Sequence, residues 1–490
     1  MTMHNARVLA VFTTLLVSGL LVTAATRTGT PPAGAQSPPF TFQHVIIIVQ
    51  ENRTPDNLFQ GLCTAPYGSA SSCSTTPSGS QYDIKTSAWL DKFAPGGTIA
   101  PKTVPLANTY DLDHSHRGWL AQCDLSGGAC KMDGRAHCSG TCLPTPQFRY
   151  VDNSTGVLNP YLELATQYGW ANAMFQTNQG PSYPAHQFLF GGTSAPSASD
   201  DAAGIFASEN IVGTGGVGGF DKPAGCAAPS GTLVMLIHPG GSTTTMYPCF
   251  EHQTMADLFH GGVTWRYYAP APGTIWTAPN SIKHICQSSG MGGSCTGPMW
   301  TNHLDFKARD VLNDIASCSL RSVSWVIPAG PYSDHAGPHS GSGGPAWIAS
   351  IVNAIGKNTS CDGGKGYWND TAIVLTWDDW GGWYDHVAPT ILAGNQGDYQ
   401  YGFRVPLLVV SAYTPKGYVN NVHHDFGTIL RFVQRNFGIT EGALNFADKR
   451  ADGDLRAFFD FAKPPRPFTP IAARPMPAMM ANDTSPPDDD

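Results

Sequence analysis

The sequence predicts an α/β fold: a mostly parallel central sheet with helices packed on both faces. Three observations carry this. Short runs rich in Val, Ile, Tyr and Trp recur along the chain, and they are continuously apolar rather than alternating, as in strands buried on both faces. Between several of them lie stretches with apolar residues at three-to-four spacing, the period of a helix. At 490 residues the chain is long for one domain by length alone, yet one large sheet with insertions accommodates it, so a single core with a capping segment is expected.

Taken in order, strands are expected at 44–50 (HVIIIVQ), 232–238 (TLVMLIH), 264–269 (TWRYYA), 322–327 (SVSWVI), 371–377 (TAIVLTW) and 406–412 (PLLVVSA). Helices are expected at TMADLFH before 264, WIASIVNAI at 347–355 and FGTILRFVQRNF at 426–437. The alternation of the two kinds of segment argues for parallel pairing with crossover helices. Residues near 62–150 and 193–230 are rich in Gly, Ser and Cys and read as insertions. The tail 463–490, Pro-rich and closing on PPDDD, reads as disordered.

The start of the chain, MTMHNARVLAVFTTLLVSGLLVTAA, has Arg7 as its one fixed charge and then an apolar stretch over 8–25. Followed by the small and Pro-rich TPPAGAQSPP, residues 1–35 read as a signal peptide, with a retained anchor as the alternative. A secreted or periplasmic location follows, and the 12 Cys agree. An even count in an exported chain reads as disulfides, although Cys138 and Cys142 beside His137 have the donors for zinc; connectivity is not readable from spacing. The net charge of −8 and the lack of any basic run interleaved with aromatics exclude nucleic-acid binding. GTGGVG at 213–218 matches a dinucleotide fingerprint in letters. It is followed by GFDKPAG rather than by a helix, with no acidic residue about 20 positions on, and so reads as a loop.

Ligands of a doubly wound sheet gather at the carboxyl ends of its strands. Strand 44–50 delivers Glu51 and Asn52 to that edge, and strand 371–377 delivers Asp378 and Asp379 to the same edge if the two run parallel. Three carboxylates and an amide converging without matching cations call for a divalent metal ion; capping of the following helices is the alternative for either pair alone. An oxygen-rich set suits calcium, magnesium or manganese, while nearby His admits zinc or iron. DLDHSHRGW at 111–119 adds Asp113, His114 and His116. In TNQGPSYPAHQ, Ser182 sits in a Gly-Pro-Ser-Tyr-Pro turn, where a hydroxyl beside a metal becomes a nucleophile. Asp385 and His386 suggest a catalytic dyad, but neighbours on a strand point to opposite faces, so only one could enter the crevice. The same limit applies to His423 and His424.

VIIIVQENRTPDNLFQG, DHSHRGW followed by KMDG, NQGPSYP, TWDDWGGWYDHVAP, VPLLVVSAYTPKG and HHDFGTILRFVQRNFG occur in this order. Together they resemble the phosphoesterase family of bacterial non-specific phospholipases C and acid phosphatases, over residues 41 to 438. The resemblance implies an α/β/α sandwich of the alkaline-phosphatase type, with a catalytic domain over 41–460. It also implies metal-assisted attack on phosphorus in a phospholipid head group or a small phosphomonoester, and it admits transient contact with a membrane surface. On these positions Glu51, Asn52, Asp378, Asp379 and Ser182 correspond to the metal site, with Ser182 the nucleophile and His114 or His335 the proton donor to the leaving oxygen. His116, Asp334, His424, Asp425, Asp385 and His386 correspond to substrate-facing or supporting positions. This chain departs from the family with Ala185 and His186 after the nucleophile's turn, where Asn and Arg are usual, and with Trp380 after the acidic pair. Two rival readings are a serine carboxylesterase, whose G-x-S-x-G elbow fails at Pro184, and a non-catalytic secreted binding protein with a structural metal.

Overall fold

The structure, a computed structural model, describes residues 42–211, 224–337, 340–392, 399–444, 447, 451 and 453–474. The sheet is built from β1 (His44–Gln50), β2 (Gly169–Met174), β3 (Trp265–Tyr268), β4 (Leu304–Asp305), β5 (Val323–Val326), β6 (Thr371–Trp377), β7 (Leu407–Val410) and β8 (Tyr418–His424). Their order across the sheet is β4-β3-β5-β1-β6-β7-β2-β8. Every neighbouring pair is parallel except those involving β7, which runs against both β6 and β2. The core is therefore the mostly parallel sheet that the apolar runs predict, and β1 lies near its middle.

Helices cover both faces, as the register shows. Ile47 pairs with Trp325, whose indole N–H donates to the Leu189 carbonyl at 3.1 Å on helix Ser182–Gly191. Gln50 and Trp377, also paired, have the other parity and meet Tyr161 of helix Asn159–Gln167: the Gln50 amide donates to the Tyr161 hydroxyl at 2.7 Å, and the Trp377 ring lies 5.2 Å from that of Tyr161. Helices α1 (Pro55–Leu58), α2 (His116–Cys123), α3 (Asn159–Gln167), α4 (Ser182–Gly191), α5 (Gly344–Lys357) and α6 (Phe426–Asn436) thus include one pair, α3 and α5, packed together on one face and another, α4 and α6, on the other. Within β1, Ile46, Ile47 and Ile48 are wholly buried. At about 1.5–3 kcal/mol each, their burial offsets the cost of ending the strand in interior polar groups.

Several expectations change. The run at 232–238 forms strand Val234–Ile237, but in a separate antiparallel sheet with Phe206–Ala207 and Thr243–Met246. β2, β4 and β8 were not predicted: GWANAM and YVNNVHH carry Asn at positions where the apolar-run rule asks for hydrophobes, β4 is only two residues long, and β8 is an edge strand, exposed at Asn421 and Val422. All 12 Cys pair, as Cys63–Cys73, Cys123–Cys130, Cys138–Cys142, Cys226–Cys249, Cys286–Cys295 and Cys318–Cys361, which removes the zinc alternative at Cys138 and Cys142. The tail is not disordered over 463–474: the Arg466 guanidinium donates to the carbonyls of Gln167 and Thr414, and Ile471 is buried. The proposed signal peptide, the GTGGVG segment and residues 475–490 lie outside the described residues. No described helix is long and apolar enough to cross a membrane.

Candidate active site

β1 and β6 pair in register along their whole length, so Glu51 and Asp378 leave the sheet side by side. Because Gln50 and Trp377 face α3, the next residues face α4. The chain turns at once at Asn52, whose φ of 60° is the left-handed conformation that Asn tolerates better than most residues. That turn is pinned to the partner strand: the amides of Asn52 and Asp379 donate to Asp378 Oδ1 at 3.0 and 2.7 Å, and the Arg53 amide donates to the Asp379 carbonyl at 3.1 Å. Gly381, at φ 59°, is required here, since a Cβ would lie 2.4 Å from the Asn52 carbonyl oxygen.

α4 supplies the opposite wall. Ser182 is its first residue rather than part of an open turn, and His186 follows one turn later on the same face. The Ser182 hydroxyl donates to Asp379 Oδ2 at 3.3 Å, while Asp379 Oδ1 accepts the Gly381 amide at 2.6 Å. His186 Nε2 lies 3.0 Å from Glu51 Oε1 and 3.9 Å from Asp378 Oδ2. Desolvation by complete burial lowers the His186 pKa to about 4, so the ring is neutral. Glu51, His186 and Asp378 each offer a donor atom, all within 4.8 Å of one another. Asp378 Oδ2 and Asn52 Oδ1 are buried and accept no hydrogen bond among the described residues. Buried acceptors that no donor satisfies, one of them on a carboxylate grouped with a neutral imidazole and a second carboxylate, fit a divalent cation of the oxygen- and imidazole-binding kind. His186 was not singled out as a ligand from the sequence. The signal was there in its i,i+4 spacing from Ser182 and in its departure from the family pattern.

Asn52 is held from the other side by two histidines. Its Nδ2 donates to His114 Nε2 at 3.2 Å and to His335 Nε2 at 3.0 Å. The other nitrogen of each ring donates to a main-chain carbonyl, His114 Nδ1 to Leu112 at 2.7 Å and His335 Nδ1 to Ala336. Both rings are therefore in the neutral Nδ1–H tautomer, and they leave the Asn52 carbonyl oxygen directed away from them.

The remaining candidates divide. His116 donates through Nδ1 to the Gln179 carbonyl at 3.2 Å, three residues before Ser182, and desolvation lowers its pKa to about 4. Asp334 lies on the α3 face behind the cluster, accepting from the Tyr161 hydroxyl at 2.7 Å and the Trp377 indole at 3.2 Å. Burial raises it to about 6, and it carries His335 on its far side. Asp425 caps α6, its carboxylate accepting the Thr428 amide at 3.1 Å. His424, at the end of β8, packs its ring against Phe458. Asp385 and His386 are not on a strand, and the opposite-faces argument does not apply to them. Both enter a separate buried network, with His386 between Asp56 Oδ2 (2.8 Å) and Asp83 Oδ1 (2.9 Å) and Asp385 gripped by Arg404 at 2.9 and 3.0 Å.

Residues 42–440 match the model of the Phosphoesterase family. The non-hemolytic phospholipase C of Pseudomonas aeruginosa is 27% identical over 252 residues, covering 46% of this chain and 34% of that protein. The hemolytic phospholipase C of the same organism is 24% identical over 341 residues, covering 61% and 41%. Phospholipase C B of Mycobacterium tuberculosis is 29% identical over 195 residues, covering 35% and 34%. The matched regions thus span well under half the length of these relatives. With the family match running from β1 through α6, over most of the chain, the chain belongs to the Phosphoesterase family.

Proposed function

We propose that the protein hydrolyses phosphoric esters with the aid of a divalent metal ion, through Ser182 as nucleophile. The observation that carries this reading is the junction of a buried hydroxyl, three carboxylates and a neutral imidazole where two parallel strands end against the start of one helix. Glu51, His186 and Asp378 would hold the ion, with Asn52 Oδ1 as a further buried acceptor. Bound there, it would polarise the phosphoryl oxygens and lower the pKa of a neighbouring hydroxyl.

The chain's own residues account for the rest. Asp379 orients the Ser182 hydroxyl and is the nearest acceptor for its proton. Ser182 attacks phosphorus from the first turn of α4, where the positive end of the helix favours the approach of an anion. His114 and His335 fix the rotamer of Asn52 in their neutral form. Either ring, once protonated at Nε2, would release Asn52 and could give that proton to the departing oxygen. A phospholipid or a small phosphate ester is the substrate class suggested by the family and by the named relatives. A location outside the cytoplasm is supported by the six disulfides.

The test is hydrolysis of an aryl phosphomonoester, an aryl phosphocholine diester and an aryl carboxylate, before and after chelation. Phosphoester cleavage should disappear on chelation and return with metal, and Ser182→Ala should lower kcat by about 10³-fold or more while metal content is unchanged. Cleavage of the carboxylate alone would favour the serine-esterase reading. Full phosphoester activity in Ser182→Ala would point to attack by water instead.

A further inference from the structure

We propose that Tyr161 is a positioning residue of this site, its hydroxyl bridging the end of β1 to the Asp334 carboxylate and so setting the loop that carries His335. The catalytic consequence rests on the functional reading above, in which His335 gives a proton to the departing oxygen; the bridge rests on contacts alone. Tyr161 lies in α3, on the sheet face opposite α4, and is wholly buried. Its hydroxyl accepts from Gln50 Nε2 at 2.7 Å and donates to Asp334 Oδ2 at 2.7 Å. The Trp377 indole donates to the same oxygen at 3.2 Å. Gln50 and Trp377 are the last residues of β1 and β6, directly before Glu51 and Asp378, so one carboxylate oxygen gathers both strand ends from behind.

β1 and β6 are fixed to each other by sheet pairing along their length, and the Asp378 amide donates to the Gln50 carbonyl at 2.9 Å. Glu51 and Asp378 therefore keep their places without Tyr161. The loop after β5 leaves that ladder: the Glu51 amide donates to the Ser333 carbonyl at 2.8 Å, and the chain then turns at Asp334 with φ 71°. A left-handed residue that carries a side chain persists where its surroundings hold it. Here Tyr161 and Trp377 hold the carboxylate, and Arg53 Nε donates to the Asp334 carbonyl at 2.8 Å. The start of α5 closes in on the other carboxylate oxygen, since a Cβ on Gly344 would lie 2.1 Å from Asp334 Oδ1. The next residue is His335, whose Nε2 meets the Asn52 amide nitrogen at 3.0 Å. The orientation of that ring is inherited from the turn at Asp334.

Removing the hydroxyl alone leaves the ring packing in place. The Tyr161 ring lies edge-on to Trp377 at 5.2 Å and tilted against Phe59 at 6.2 Å, contacts that Phe would keep. Asp334 Oδ2 would lose its shorter donor and Gln50 Nε2 this acceptor, both inside the fold, where a lost hydrogen bond is not replaced by water. The turn at Asp334 then loosens while the paired strands hold the metal ligands. The predicted defect is a displaced proton donor in a folded, metal-loaded protein.

The experiment compares the wild type, Tyr161→Phe, His335→Ala and the double variant in the full chain. Tyr82→Phe serves as a control that deletes another buried hydroxyl, one donated to the Ala165 carbonyl at 3.3 Å. Each is assayed on aryl phosphoesters whose leaving groups run from para-nitrophenol to unsubstituted phenol, for metal content, and by hydrogen exchange over 333–337. Tyr161→Phe should lower kcat/KM about tenfold with phenol as leaving group and less than about twofold with para-nitrophenol, because the more basic oxygen needs its proton in the transition state. Exchange over 333–337 should quicken and metal content should stay. Adding Tyr161→Phe to His335→Ala should cost little more than His335→Ala alone, since the bridge acts through that ring. Tyr82→Phe should match the wild type. Wild-type exchange in Tyr161→Phe, or the same loss with every leaving group, would overturn the proposal. A His335→Ala variant with the wild-type dependence on leaving group would sink the proton-donor reading instead, and the exchange result would still decide whether Tyr161 sets the loop.

Discussion

Among the described residues, two buried clusters of carboxylates and histidine have donor atoms close enough together for metal ligands: Glu51, His186 and Asp378, and Asp56, Asp385 and His386. They differ in what neutralises them. In the second, Arg404 forks onto Asp385 and reaches toward Asp56 and Asp83, and His386 bridges Asp56 and Asp83 with its pKa raised to about 9 by those carboxylates, against the desolvation that lowers it. That cluster supplies its own cations. In the first, the nitrogen partner is a neutral imidazole, and Asp378 Oδ2 is left without a donor. A buried charge is tolerated where it is paired and hydrogen-bonded, so the unpaired cluster is the one that implies an external cation.

The contrast can be broken or sharpened by substitution. Arg404→Ala should strand Asp385 and Asp56 and destabilise the fold by about 3–5 kcal/mol, measured by denaturant unfolding, with metal content unchanged in the folded fraction. A smaller effect is expected from pH. His386, raised from its ordinary 6.5 to about 9, stabilises the fold fully below pH 6.5 and loses that contribution as pH rises through about 9. Folding stability should therefore decline over this window by at most about 3 kcal/mol, and His386→Gln should flatten the decline. An unchanged slope in that variant would show that the network is not held by a charged His386.

Much of this was legible in the sequence, for reasons that differ by residue. β1 and β6 could be read because a buried parallel strand is a continuous apolar run, and the abrupt polar ends Glu51-Asn52 and Asp378-Asp379 marked the edge where ligands gather. The register that sets Glu51 beside Asp378 was assumed, and pairing of Gln50 with Trp377 supplies it. β7 showed as a strand but not as antiparallel, because direction leaves no trace in composition. His186 was missed as a candidate ligand because α4 is buried all round and shows no polar stripe from which a site face could be read. The roles of Asp334 and Asp425 depend on contacts with Tyr161 and Thr428, the first far away in the chain. Motif position gave their place but not their function.

The most direct test is elemental analysis of the purified wild type beside His186→Ala, Asp378→Asn and His386→Gln. The account predicts about one equivalent of divalent metal in the wild type and in His386→Gln, and loss of most of it in His186→Ala and Asp378→Asn, with all four folded. Metal that is retained in His186→Ala and Asp378→Asn but lost in His386→Gln would contradict it.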